Sequence, residues 1–181
     1  MKNRLLALVL GMLTLPAMAA EYSVAAGSTL GFTGSFQGEG FDGKFDRFEA
    51  DIRYDPADLA SARFEVKVDL ASAVTGDSER DSALPEAEFF DATQFPQATF
   101  VTSAFRQTGG SVVAEGSLAL KGINKPVSLI VVFTPNGSSA TLDVNAIVKR
   151  LDFNVGTGDY TDTSTIADEV TIKAKLNLVA K

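Results

Sequence analysis

Ala62-Arg63-Phe64-Glu65-Val66-Lys67-Val68-Asp69-Leu70 alternates apolar and charged residues without a break. A period of two is that of an extended strand with one face buried and the other in water, because successive Cβ atoms point to opposite faces. Just upstream, Phe48, Ala50, Ile52 and Tyr54 alternate with Glu49, Asp51, Arg53 and Asp55. Asp55-Pro56-Ala57-Asp58 between the two runs is turn-forming, so the runs are predicted to pair as an antiparallel hairpin.

The same period recurs downstream. Val112, Ala114, Gly116, Leu118 and Leu120 share a face, opposed by Glu115, Ser117 and Lys121. Lys121-Gly122-Ile123-Asn124-Lys125-Pro126 reads as a tight turn into Val127, Leu129, Val131 and Phe133. Pro135-Asn136-Gly137-Ser138 carries the Asn-Gly hairpin signal and opens Leu142, Val144, Ala146 and Val148. Val170, Ile172, Ala174, Leu176 and Leu178 form the last run. With Leu30–Phe36 and the less regular Thr99–Arg106, the pattern predicts about eight strands.

Two stretches break the period. Thr75–Phe90 is polar and then helix-like, with Asp77 or Ser78 as N-cap and Pro85 as interruption, which predicts one short helical segment between strands. Leu151–Ile166 is Gly- and Thr-rich and reads as a long loop. The fold class is therefore all-β: an antiparallel sandwich or up-and-down barrel, and a barrel of about eight strands is the size that can enclose one small ligand. Periodicity alone weighs a cavity and a filled core equally. It also fits an outer-membrane barrel with its apolar face toward lipid, but that needs two aromatic girdles, and the chain has no Trp and three Tyr.

Composition narrows the chemistry. Over 181 residues there are 16 Lys and Arg against 23 Asp and Glu, a net charge of −7, which argues against a nucleic-acid partner. Hydrophobic residues make up 45% of the chain and include thirteen Phe, enough for one real core. There is no Cys and no His. Disulfides, His or Cys metal sites, haem ligation and Cys or Ser–His nucleophiles are thereby excluded, which favours a binding protein over an enzyme, and no cofactor is assigned.

Lys2 and Arg4 precede the apolar run Leu5–Leu13, Pro16 and the small residues Ala17-Met18-Ala19. This is the pattern of a cleaved signal peptide over residues 1–19, leaving a single domain over 20–181. The run is too short for a membrane-spanning helix, and nothing later is long enough, so the product is expected to be exported and not membrane-spanning.

Some motifs have simpler readings than the chemistry they suggest. Gly38-Glu39-Gly40-Phe41-Asp42-Gly43 matches the dinucleotide-binding glycine pattern by letter, but it leads into a strand and carries two acids that would repel phosphate. Asp77, Glu79 and Asp81, and likewise Asp159, Asp162 and Asp168, lack the spacing of a calcium loop and read as solvated loop charges, so no metal is assigned.

A resemblance adds to this. Phe45-x-x-Phe48, Thr75-Gly76-Asp77-Ser78-Glu79-Arg80-Asp81, Phe89-Phe90-Asp91, Phe95-Pro96-Gln97-Ala98-Thr99-Phe100, Gly122-Ile123-Asn124-Lys125-Pro126-Val127, Arg150-Leu151-Asp152-Phe153-Asn154 and Asp168-Glu169-Val170 occur in the order found in the YceI family, which this chain resembles over nearly its whole mature length. The resemblance implies a bacterial periplasmic or secreted protein with a lipocalin-like antiparallel barrel, and a polyisoprenoid or quinone-like lipid as the class of guest. Two positions depart from the family pattern: Asp81 is followed by Ser82-Ala83-Leu84 where many members have His-Leu, and Asn154 stands where many have Gly. The stretch Lys149–Gly156 looks like the branch found beside b-type membrane cytochromes, which makes such a cytochrome a candidate partner.

The expectation is then a periplasmic carrier for an isoprenoid lipid held in the barrel, and not an enzyme. The alternative is a non-enzymatic periplasmic interaction module serving a membrane b-type cytochrome or a stress response, and a carboxylate-based hydrolase ranks third. The inward residues expected to touch the tail are Phe32 from the first run; Phe48, Ile52, Phe64, Val66 and Val68 from the hairpin; Phe100; Leu118 and Leu120; Leu129, Val131 and Phe133; Val144; and Ile172. Phe89 and Phe90 are expected to cover one mouth. Arg80, Asp81 and Arg150 are candidates for a head-group contact there or for structural ion pairs.

Overall fold

The structure is a computed structural model that describes residues 20–181, so the signal peptide expected over 1–19 lies outside the described residues. The strands are β1 (Ala20–Val24), β2 (Thr29–Phe36), β3 (Glu39–Phe45), β4 (Phe48–Tyr54), β5 (Arg63–Asp69), β6 (Ala73–Val74), β7 (Gln97–Thr108), β8 (Ser111–Leu120), β9 (Ile123–Asn136), β10 (Ser139–Lys149) and β11 (Glu169–Ala180). One helix, α1 (Ser78–Ala83), lies between β6 and β7.

These segments form eight staves of a closed antiparallel barrel. β1 and β2 are two halves of one stave, both laid against β11; β3 and β4 are halves of the next, β3 on β2 and β4 on β1. The others follow in chain order, and β11 closes the ring on β1. β6 resumes the β5 stave after the 3-10 turn Leu70–Ser72 and pairs with β3. Each stave thus lies beside its sequence neighbour, and closure removes the exposed edges. The expected barrel with one short helix is what forms.

Its facing follows the sequence pattern. Phe64 is buried while Arg63 and Lys67 are exposed on either side of it along β5. Charge therefore faces outward along β5, the reverse of what a lipid-facing strand requires.

Two one-residue irregularities explain where the alternation falters. Inward residues are odd-numbered in β3 (Phe41, Gly43, Phe45) and even-numbered in β4 (Phe48, Ala50, Ile52), because Asp46-Arg47 adds an extra residue between them. Buried Ser72 compensates the lost ladder bonds there: its carbonyl accepts from the Asp46 N–H and its hydroxyl from the Arg47 N–H. In β7 the register shifts between Thr102 and Ala104, so Phe100 and Thr102 face inward before the bulge and Phe105 after it. The Thr102 hydroxyl accepts the Phe64 N–H at 2.9 Å, which satisfies the strand next to the bulge.

Tight two-residue turns join β7 to β8, β8 to β9 and β9 to β10. Lys121 and Gly122 both have positive φ (50° and 74°), as a type I′ turn demands, and Leu120 pairs directly with Ile123. The turn is therefore shorter than the sequence suggested, and Asn124–Pro126 already belong to β9. Proline is tolerated because β9 pairs with β10 only from Ile130 onward, which leaves one side of its first half free. The other hairpin signal is displaced by one residue: Asn136 pairs with Ser139, so Gly137-Ser138 is the loop.

Candidate functional site

The interior divides into a filled end and a hollow end. At the hairpin end of β7–β8 and β9–β10, Tyr54, Phe64, Leu142 and Leu178 pack with Tyr22, Phe105 and Phe133. Ring centroids lie 4.9 Å apart for Tyr54–Phe133 and 4.8 Å for Phe64–Phe105, the latter edge to face. This aromatic cluster fills that end of the barrel.

Toward the other end a cavity of about 240 Å³ opens. Its wall is apolar: Phe32, Phe48, Val66, Val68, Phe100, Leu118 and Leu120 from the strands, with Leu84, Phe90, Phe153 and Val155 from the covering segments. Arg150 and Ser35 are the polar residues among those lining it. Glycines keep the hollow open. A methyl group built on Gly43 would overlap the ring of Phe32, its cross-strand partner, and one on Gly34 would meet the ring of Phe41. Each ring lies over a bare backbone and not across the cavity. Gly43→Ala is expected to push Phe32 off its seat, lowering stability by about 1–3 kcal/mol and weakening uptake of an apolar dye; urea unfolding and dye titration together read both effects.

The mouth is covered by two arms. The first comprises α1 and the following segment through Phe95. Asp77 caps α1, accepting from the Glu79 and Arg80 N–H groups, and Pro85 lies just past the helix end, as the sequence predicted. The Asp81 carboxylate accepts from the Thr75 hydroxyl and N–H, both at 2.6 Å, and from the Gly76 N–H. Those Thr75 bonds hold its pKa below the usual carboxylate range. Arg80 lies over the Phe41 ring at 4.0 Å and donates to the Thr75 hydroxyl.

The second arm is 150–168, with 3-10 turns at Arg150–Phe153 and Gly158–Tyr160 in the stretch read as loop. The arms meet where the Gly156 and Thr157 N–H groups donate to the Glu88 carbonyl and where Phe89 packs on Tyr160 at 4.9 Å. Lys121 ties them again: its ammonium donates to the carbonyls of Ala87 (2.6 Å) and Asn154 (2.8 Å). Burial pushes its pKa below the ordinary lysine value, against the opposing pull of Asp91 and Glu88. Lys121→Met should leave the barrel folded and speed release of a bound apolar probe by about three- to tenfold, the net worth of about one ordinary hydrogen bond at a solvent-accessible site; stopped-flow displacement measures it, and an unchanged rate would remove Lys121 from the closure.

Arg150 organises the second arm from within. Its side chain is 5% exposed and donates to four main-chain carbonyls, those of Ala167, Val155, Gly156 and Ile166. Burial lowers its pKa, partly offset by Asp168. Several of the acids read as solvated loop charges are engaged locally: Asp77 and Asp81 as above, Asp162 with Ser164, and Asp168 with the Leu151 N–H. Among the described residues no group of three or more His, Cys, Asp or Glu is placed to hold a metal.

Residues 22–178 match the model of the YceI-like domain. The chain belongs to the YceI family. A UPF0312 protein of Enterobacter is 31% identical over 87% of this chain and 88% of its own, and the YceI protein of Salmonella arizonae is 30% identical over 87% and 89%. The crystal structure of Burkholderia cenocepacia BcnA superposes with a TM-score of 0.82 at 36% identity, covering 85% of this chain and 98% of that one. A polyisoprenoid-binding domain from Saccharophagus degradans, implicated in plant cell wall breakdown, shares the fold at 18% identity and TM-score 0.69, covering 90% and 99%.

In this YceI barrel, the tail-contact residues expected from sequence fall into two groups. Phe32, Phe48, Ile52, Phe64, Val66, Val68, Phe100, Leu118, Leu120, Leu129, Val144 and Ile172 line the cavity. Val131 and Phe133 do not; they point inward but pack in the aromatic end, since alternation fixes the face of a strand and not the depth along the barrel. Of the mouth residues, Phe89, Phe90 and Arg150 line the cavity, while Arg80 and Asp81 brace α1 beside it. The sequence reading missed Leu84, Phe153 and Val155, which reach the cavity from the arms. Their signal was the apolar side chain standing in an otherwise polar loop.

Proposed function

We propose that this YceI barrel is a periplasmic binding and carrier protein for an amphiphilic isoprenoid lipid, polyprenyl or quinone-like, and that it performs no catalysis. The observation that carries the reading is the cavity: an apolar hollow inside a closed barrel, roofed by arms held with a few hydrogen bonds and ring contacts. A branched hydrocarbon tail entering it gains about 25 cal/mol per Å² of apolar surface removed from water and needs few directional contacts. The polyisoprenoid-binding Saccharophagus domain has the same fold, and this cavity suits the same guest class. Binding without turnover is supported by the absence of His and Cys and by the engagement of Asp81 and Asp168 in local hydrogen bonds.

The residue 1–19 pattern supports export to the periplasm, where a quinone-like guest would place the protein near membrane redox chemistry; a b-type cytochrome is the partner class suggested by Lys149–Gly156. The direct test is calorimetry of delipidated protein with farnesol. Saturable one-to-one binding with a negative heat-capacity change is expected from burial of the tail. Absence of saturable binding to folded, delipidated protein would overturn the reading.

A further inference from the structure

Arg150 is the one charged residue among those lining an otherwise apolar cavity. No carboxylate forms an ion pair with it among the described residues. Asp168 lies close in space, but its carboxylate accepts the Leu151 N–H and its carbonyl accepts the Arg150 main-chain N–H. The guanidinium has five N–H donors, and four of them are taken by the carbonyls of Ala167, Val155, Gly156 and Ile166. One N–H on Nη2 is left without a hydrogen-bond partner, and the positive charge has no ion-paired carboxylate and is offset only in part by Asp168, on a residue 5% exposed. Buried charges are ordinarily paired, and loop carbonyls orient the guanidinium without neutralising it.

The position of this charge matters as much as its sign. The carbonyls that hold it belong to 155–156 and 166–167, the arm that covers the mouth, whereas the opposite end of the barrel is filled by the aromatic cluster. An amphiphile with its tail toward the aromatic cluster brings its head to the arm that Arg150 holds. The other two charged candidates are already committed, Arg80 to the Phe41 ring and Thr75, and Asp81 to Thr75 and Gly76.

We propose that Arg150 selects guests whose head carries an oxyanion, a phosphate or a carboxylate, over guests ending in a neutral alcohol or an amine. An oxyanion accepts the remaining N–H and offsets the buried charge; an alcohol does only the first; an ammonium adds a second cation. The inference rests on the reading that the cavity holds an isoprenoid tail, and a series with one tail separates the two. Delipidated protein loaded with the neutral dye N-phenylnaphthylamine is titrated with farnesyl phosphate, farnesol and farnesylamine. The phosphate should displace the dye about ten- to a hundredfold more tightly than the alcohol, as expected for one charge-assisted hydrogen bond in a dry site, and the amine should be weakest. Arg150→Gln should erase the difference between phosphate and alcohol; should that variant fail to fold, the wild-type series still decides. Equal displacement by phosphate, alcohol and amine would overturn the role of Arg150 while leaving the tail in the cavity. Displacement by none of them would overturn the tail reading and this inference with it.

Discussion

The Val66→Glu protein is expected to fold and to lose its apolar guest, with affinity for farnesol falling by at least about a hundredfold. Val66 lies mid-way along β5, lines the cavity and pairs across the sheet with Phe100 and Ala50. A carboxylate there must be hydrated or protonated, and either form draws water into a space whose value to the guest is that it is dry. Desolvating a charge against a hydrocarbon tail costs several kcal/mol, more than enough for that loss. The barrel survives because the new side chain borders an existing hollow and overlaps no packed neighbour. Circular dichroism checks the fold and calorimetry the binding. Folded protein that still takes farnesol at wild-type affinity would show that Val66 does not border the guest.

Tyr54→Ala should do the converse. Tyr54 is 2% exposed, contacts Phe64, Phe105 and Phe133, and is absent from the cavity wall. Its truncation removes the centre of the aromatic cluster and leaves a void, at a cost of about 3–5 kcal/mol. Urea denaturation should show that loss, while the folded fraction should bind farnesol with affinity close to wild type. Large losses of both stability and affinity would mean that the two ends of the barrel are not separate in function.

The strand pattern made the all-β class and the strand faces readable, because side chains on a half-buried sheet alternate between water and interior, while the barrel was chosen over the sandwich by the family resemblance. Phe64, Val66 and Val68 show it most plainly: each was assigned inward from its neighbours Glu65, Lys67 and Asp69 alone. Alternation fails where one residue is inserted. At Asp46-Arg47 and at the Thr102/Ala104 bulge the inward set changes parity, and no local signal marks the change. Depth along the barrel was also illegible, which is why Val131 and Phe133 were grouped with the cavity residues although they belong to the filled end. Hollow and filled ends differ by which glycines seat which rings, as Gly43 does for Phe32, and that pairing depends on register across strands. Arg150 was singled out by its motif, yet its four carbonyl contacts come from residues 5 to 17 positions away and depend on how the arm folds back.

The central claim is that the cavity carries an isoprenoid lipid. Its most direct test is mass spectrometry of an organic extract from protein purified, without detergent, from the periplasm of a bacterial host. A polyprenyl species is expected in near one-to-one ratio with the chain, absent from the same extract of the Val66→Glu protein. A blank extract from folded wild-type protein, or a lipid equally abundant in the two proteins, would contradict it.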